Sequence, residues 1–60
     1  LTSREREVLG WIAEGKRNAE IAIILGSQPN TVKSQIETIL RKLGAETRGA
    51  ASALWRAAGG

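Results

Sequence analysis

Two short amphipathic segments joined by a glycine constrain the fold of this chain more than any other feature. They lie within residues 18–41, NAEIAIILGSQPNTVKSQIETILR, with Gly26 between them. The first segment carries a small residue, Ala22, where two helix backbones have to cross closely. In the second segment, apolar residues recur at the spacing that faces a core on an α-helix; they are Val32, Ile36 and Ile39. This arrangement predicts a helix-turn-helix, with which a protein places one helix in a DNA groove.

Size and composition exclude several other classes of protein. Sixty residues make one small domain, which buries only about 60% of the surface that its unfolded chain exposes. Because Cys and His are absent, a disulfide and the usual zinc ligands are missing, and we expect no metal and no cofactor. Asp and Tyr are absent too, so no catalytic residue is assigned and an enzyme is not expected. The net charge of +3 favours a polyanionic partner.

A capping box predicts the start of the first helix. Thr2 is followed three residues later by Glu5, so that the hydroxyl and the carboxylate can each satisfy a free backbone N–H. We predict a helix over residues 3–14 that ends at Gly15. Its core-facing residues are Val8, Leu9 and Ile12.

The second helix is predicted from Asn18, as its N-cap, to about Leu25, with Gly26 ending it. Its inward residues are expected to be Ile21, Ala22, Ile24 and Leu25.

Two further helices complete the predicted fold. Pro29 suits the first turn of a third helix that continues to about Leu43 before Gly44. Thr47 is the expected N-cap of a fourth helix that runs to about Ala58. The predicted fold class is all-α, a four-helix bundle-like domain that contains a helix-turn-helix.

The polar side of the third helix is the candidate groove face. Lys33 can donate to guanine, Ser34 can bond to several bases, and Glu37 can accept from cytosine N4, so these three are predicted to read bases. The predicted contacts to the DNA backbone are Lys16, Arg17, Asn18, Asn30, Thr31, Thr38 and Arg41.

Structural alternatives exist for these residues. Polar residues opposite an apolar stripe usually form only a solvated helix face. Lys16 and Arg17 follow a helix end, where cations also favour the helix dipole. A carboxylate near phosphates is repelled unless it reads a base, and the alternative for Glu37 is an i, i+4 pair with Arg41.

Four motifs cover nearly the whole chain in a fixed order. They are LTSREREVL at the start, GKRNAEIA at 15–22, TVK at 31–33 and RKLGAETR at 41–48. With them the chain resembles the LuxR/FixJ-type DNA-binding domain of bacterial transcription regulators. The resemblance implies a third helix in the major groove, with Thr31, Lys33, Ser34 and Glu37 near DNA. It also implies that the fourth helix pairs two copies on an inverted or tandem repeat.

The sequence departs from the family pattern at the turn and on the groove face. Ser27 and Gln28 stand where the family usually has an apolar residue and then serine. Gln35 replaces a common histidine, and Glu37 stands where a basic residue is common. We therefore expect a DNA target different from those of relatives.

Two tertiary contacts are expected. The fourth helix is predicted to form a dimer interface, although the same face can instead complete the core; the interface residues are Ala51, Leu54 and Trp55. Glu5 lies near the apolar side of the first helix and is expected to meet Arg48 or Lys42.

The expected partners follow from this interpretation. They are double-stranded DNA and a second copy on DNA, with RNA polymerase as a further candidate. Because no apolar run approaches the roughly 18 residues of a membrane span and no leader is recognisable, we expect a cytoplasmic protein and no membrane contact. The start at Leu1 suggests the C-terminal domain of a longer regulator, such as a response regulator.

Two other functions are compatible with this sequence. One is the promoter-reading helix-turn-helix of a sigma factor, which would not be expected to continue as KLGAETRGAAS with a fourth helix. The other is a helical module that docks onto another protein.

Overall fold

Residues 1–59, which the computed structural model describes, form four α-helices and no strand. The helices are α1 (Ser3–Ala13), α2 (Asn18–Leu25), α3 (Pro29–Leu43) and α4 (Arg48–Ala57). The predicted all-α class is confirmed, and each helix end lies within one residue of its predicted position. None of these four helices has the length and apolar content needed to cross a membrane.

The core lies where α1 packs against α3 and α4, and where α2 packs against α3. Its buried apolar residues are Val8, Leu9, Ile12, Ile21, Ala22, Val32, Ile36, Ile39 and Ala51. The predicted stripes of α1 and α3 are therefore confirmed. Trp11 and Trp55 lie half-buried at the edge of this core.

The capping box of α1 is also confirmed. The Thr2 hydroxyl accepts a hydrogen bond from the Glu5 N–H (3.1 Å), and the Glu5 carboxylate accepts one from the Thr2 N–H (2.8 Å). Glu5 meets Lys42 rather than Arg48. This pair joins the start of α1 to the last turn of α3.

The inward face of α2 is narrower than predicted. Ile21 and Ala22 are buried and Leu25 is half-buried, but Ile24 is 45% exposed, so its assignment to the core was wrong. At 100° per residue, Ile24 lies about 100° from the centre of the face that the other three share. Ile23 lies farther round and is 81% exposed.

The N-cap of α2 is Arg17, not Asn18 as predicted. The extended backbone of the cap falls on Arg17 (φ −88°, ψ 164°), and its N–H donates to the Glu20 carboxylate at 2.8 Å. Asn18 is the first residue of the helix, and its carboxamide oxygen accepts instead from Arg48.

The turn between α2 and α3 has a defined geometry. Gly26 adopts φ +66°, and the Ser27 N–H donates to the Ala22 carbonyl at 2.8 Å, as in a Schellman motif. Gln28 is extended before Pro29, as expected for a residue that precedes proline. Ser27 and Gln28 are thus compatible with a closed turn, which sets the direction in which α3 leaves α2.

Candidate DNA interface

The polar side of α3 faces solvent while its other side is anchored in the core. Val32 and Ile39 are fully buried. The exposed residues on or beside the opposite face are Asn30, Thr31, Lys33, Ser34, Glu37 and Arg41. Because α3 is held along one side only, its polar side is accessible, and a helix of this kind fits the major groove of B-DNA.

The first turn of α3 lacks a side-chain cap. Gln28 makes no capping hydrogen bond, whereas Thr2 caps α1 and Thr47 caps α4. Backbone N–H groups at an uncapped helix start attract anions, including phosphate. Asn30 and Thr31, two of the predicted phosphate contacts, lie in this turn.

Farther along α3, Thr38 is engaged within the helix. Its hydroxyl donates to the Ser34 carbonyl at 3.1 Å and accepts from Arg41 Nη2 at 3.4 Å. Among the described residues, the ion pairs do not include one between Glu37 and Arg41. The alternative role expected for Glu37 is therefore not formed, and its carboxylate stays exposed on the groove face.

The connection between α1 and α2 carries the other predicted phosphate contacts. Arg48, the first residue of α4, donates from Nη1 to Asn18 Oδ1 (2.7 Å) and from Nη2 to the Lys16 carbonyl (2.9 Å). In the sequence, Arg17 stands between the two residues that supply these acceptors, and it is exposed. The structure thus ties the start of α4 to Lys16 and Asn18.

Charge in the candidate interface is predominantly positive. Within residues 1–59, the ion pairs are Arg4 with Glu7 and Lys42 with Glu5. The predicted DNA-contacting cations take part in neither pair; they are Lys16, Arg17, Lys33 and Arg41. Their charges therefore remain available to phosphates.

The face of α4 needs one correction. Ala51 is fully buried in the core, so it has no surface for a partner and does not belong in the predicted dimer interface. The sequence of an alanine-rich helix does not reveal which of its alanines face inward, so it misplaces Ala51. Leu54 is 47% exposed and Trp55 is half-buried; their role in a dimer stays a prediction.

Comparison with known proteins identifies the family to which this chain belongs. Residues 1–54 match the model of the bacterial regulatory proteins of the luxR family. The chain belongs to this family. The family resemblance drawn from the four motifs is confirmed, and the match favours this family over a sigma factor.

Individual LuxR-family relatives agree with the match. The transcriptional activator protein AhyR of Aeromonas hydrophila is 46% identical over 48 residues, which cover 80% of this chain and 18% of AhyR. The HTH-type quorum-sensing regulator RhlR of Pseudomonas aeruginosa is 42% identical over 59 residues, which cover 98% of this chain and 24% of RhlR. The regulatory protein SdiA of Escherichia coli is 43% identical over 47 residues, which cover 78% of this chain and 20% of SdiA.

The chain spans about a fifth of the length of these curated relatives. Membership in the LuxR family identifies it as a helix-turn-helix domain of the kind found in bacterial regulatory proteins.

Sequence reasoning missed the bridge made by Arg48. The sequence predicts Arg48 only as one of two partners for Glu5, which binds Lys42 instead. A cation in the first turn of a helix is unfavourable next to the positive end of the dipole. The position of Arg48 in the first turn of α4 therefore indicates that it needs specific acceptors, but the sequence does not identify those acceptors.

Proposed function

We propose that this LuxR-family domain binds double-stranded DNA sequence-specifically by inserting α3 into the major groove. The observation that carries the proposal is the exposed polar face of α3, fixed from behind by fully buried Val32 and Ile39. A rigid helix that keeps one polar side free can enter a groove without unfolding or reorientation. Insertion therefore requires little conformational change in the domain.

Three side chains on this face read base edges in the proposal. Lys33 donates to guanine O6 or N7, and Ser34 donates or accepts at neighbouring edges. Glu37 accepts from cytosine N4, which offsets the repulsion between its carboxylate and the phosphates. The exposure of all three residues supports these roles.

Contacts to the DNA backbone set the register of α3. In the proposal, phosphates bind at the start of α3 and along the α1–α2 connection, which is the arrangement that positions a recognition helix. The residues involved are Lys16, Arg17, Asn18, Asn30, Thr31, Thr38 and Arg41; the Thr38 hydroxyl has to release the Ser34 carbonyl before it can donate to a phosphate. The cations among them form no ion pair within the described residues, which supports this assignment.

Two copies pair through α4 in the proposed complex. Leu54 is nearly half exposed, and it lines an open groove with Ala50, Ala53 and Ala57 on the outer side of α4. A second α4 can lie against these small side chains, so that two copies occupy half-sites about one helical turn apart. Pairing raises affinity because the second contact becomes intramolecular.

The experiment that tests groove reading is selection from pooled random duplexes at several salt concentrations, followed by sequencing of the retained DNA. The proposal predicts an enriched repeat and a steep loss of binding with salt, because phosphate contacts release counterions. Salt-sensitive retention without enrichment would reduce the function to a basic surface. Absence of retention at low salt would overturn DNA binding and favour the protein-docking alternative.

A second measurement tests the pairing. Sedimentation of the domain with a duplex that carries two half-sites is expected to show two copies per duplex. Leu54→Glu is expected to reduce this to one, since a carboxylate on the apolar groove disfavours close packing. Ile23→Glu, at another exposed apolar residue, is the control; an equal effect of both variants would overturn pairing through α4.

A further inference from the structure

We propose that Arg48 is a positioning residue for DNA binding: from the first turn of α4 it holds the α1–α2 connection so that Asn18 and Arg17 face phosphate. This inference rests on the proposed DNA binding and adds how the connection is held in place. Arg48 acts through these residues and is not assigned a contact of its own with DNA.

The bridge is specific in its geometry. Arg48 is half-buried and uses both terminal nitrogens, one toward the Asn18 carboxamide (2.7 Å) and one toward the Lys16 carbonyl (2.9 Å). Both acceptors are neutral, so neither of them offsets the positive charge of the guanidinium. Two hydrogen bonds in a planar fork restrict the acceptors more than the single point charge of a lysine would.

The bridge fixes the orientation of the Asn18 amide. Because a guanidinium only donates, the Asn18 atom that faces it must be the carboxamide oxygen. The NH2 group on the same carbon is therefore turned away from Arg48. No hydrogen bond among the described residues occupies that NH2 group, and it is a donor that a phosphate oxygen can accept from.

The same bridge fixes the backbone around Arg17. Its two chain neighbours, Lys16 and Asn18, are both bonded to Arg48, and its own N–H is bonded to the Glu20 carboxylate. The exposed side chain of Arg17 thus leaves from a backbone that is held on both sides. A cation on a fixed backbone loses less entropy when it binds phosphate than one on a loose loop.

A comparison of two arginines on α4 tests the proposal. Arg56 also donates to a backbone carbonyl of α1, that of Ala13 at 3.0 Å, but it does not contact the α1–α2 connection. Arg48→Ala and Arg56→Ala remove the same charge from the same helix. Affinity for a selected duplex is measured for both against salt, at a temperature where circular dichroism shows the variants to be folded.

The expected result separates positioning from charge and from stability. Arg48→Ala is expected to bind about tenfold more weakly, the size of one lost hydrogen bond to a charged group, with a salt slope close to that of the unmodified domain, because Arg48 itself contacts no phosphate. Arg56→Ala is expected to change affinity by less than about twofold, as for a surface change away from the site. Equal effects of the two variants, or an unchanged affinity of Arg48→Ala, would overturn the proposal.

A double-mutant cycle tests whether Arg48 acts through Asn18. If it does, Arg48→Ala combined with Asn18→Ala is expected to bind no more than about twofold more weakly than the weaker single variant. If the losses of affinity in the two single variants multiply in the double variant, Arg48 acts independently of Asn18, and the proposal is overturned. Failure of the unmodified domain to bind DNA would overturn the proposed function itself. This result is obtained without any variant, so it is distinguishable from failure of the Arg48 proposal.

Asn18→Asp keeps the test decisive if Arg48→Ala does not fold. The carboxylate retains an acceptor for Arg48, so the melting temperature is expected to stay the same or rise. It lacks the NH2 donor and adds a negative charge, so DNA affinity is expected to fall by about tenfold or more. A stable Asn18→Asp variant with unchanged affinity would overturn the assignment of Asn18 to phosphate.

Discussion

The Lys42 ammonium lies 2.9 Å from each of the two carboxylate oxygens of Glu5 and thereby joins the last turn of α3 to the start of α1. The same carboxylate accepts a hydrogen bond from the Thr2 N–H at 2.8 Å. One side chain therefore completes the cap of α1 and holds α3 against it. The backbone hydrogen bond from Thr2, followed by the contact with Lys42, lowers the pKa of Glu5.

A lowered pKa in the folded state makes stability depend on pH in one direction. The ionised Glu5 contributes stability above the unfolded-state pKa of about 4.3, and this contribution is lost as pH falls through the lower folded-state pKa. Glu5→Gln is therefore expected to be less stable than the unmodified domain by a constant amount above about pH 5. Below that pH the difference is expected to shrink. Urea unfolding from pH 2 to pH 8 measures both parts.

Glu46→Gln provides the control for this pH dependence. Glu46 is exposed and takes part in no ion pair of the described residues, so its replacement is expected to leave the curve nearly unchanged. If Glu5→Gln follows the Glu46→Gln curve, the Glu5 contacts contribute nothing to stability.

Gly26 is expected to tolerate no side chain without loss of stability. Its φ of +66° is a left-handed conformation, which costs an L-residue about 1–2 kcal/mol, so Gly26→Ala should lower the free energy of unfolding by that amount. Gly49 is the second residue of α4, and an added Cβ would meet only the Thr47 hydroxyl at 3.8 Å. Gly49→Ala should therefore stabilise the domain, by at most the roughly 0.5–1 kcal/mol that this change gives in the middle of a helix. Thermal unfolding of both variants measures the two changes in stability. A change in the same direction for both variants would contradict the prediction.

Burial predicts opposite sensitivities for two isoleucines. Ile39 is fully buried and Ile23 is 81% exposed. Ile39→Val removes one buried methylene and is expected to cost about 0.5–1.5 kcal/mol. Ile23→Val is expected to stay within about 0.5 kcal/mol of the unmodified domain. Chemical unfolding monitored by circular dichroism compares them, and a larger loss for Ile23→Val would mean that α2 packs differently.

The elements of this fold were predictable because local signals agree with packing. The Thr2–Glu5 box, Pro29 and the three glycines after α1, α2 and α3 mark helix ends by backbone chemistry alone. The spacing of Val32, Ile36 and Ile39 then identifies the buried side of α3.

Features that depend on the packing of distant elements were harder to predict. Ile24 was assigned inward because α2 is apolar nearly all round, and only its packing on α3 selects the buried side. The sequence places Ala51 at the surface because α4 contains several alanines, and only the packing of α4 on the other helices selects the one that is buried. The choice of Lys42 over Arg48 as the partner of Glu5, and the bridge from Arg48 to Asn18, join residues at least 30 positions apart.

Lys33 distinguishes base reading from backbone binding. If Lys33 contacts a base, Lys33→Ala is expected to cost about 1–3 kcal/mol and to relax specificity at one position. If it contacts phosphate, binding is expected to fall equally on all sequences, with a salt slope smaller by about one unit. Arg4→Ala, which removes an exposed cation from α1, is the matched control. An equal loss in both variants would mean that only net charge matters.

Glu37 makes the sharpest prediction about specificity, because it is a carboxylate on a face proposed to meet phosphates. Glu37→Gln removes the repulsion, so affinity for random duplexes is expected to rise. If Glu37 accepts from a cytosine, preference for that base pair is expected to fall, since the glutamine amide also suits adenine. Selection from random duplexes with both proteins measures the two effects together. A higher affinity with an unchanged consensus would leave Glu37 as a repulsive side chain on the groove face that reads no base.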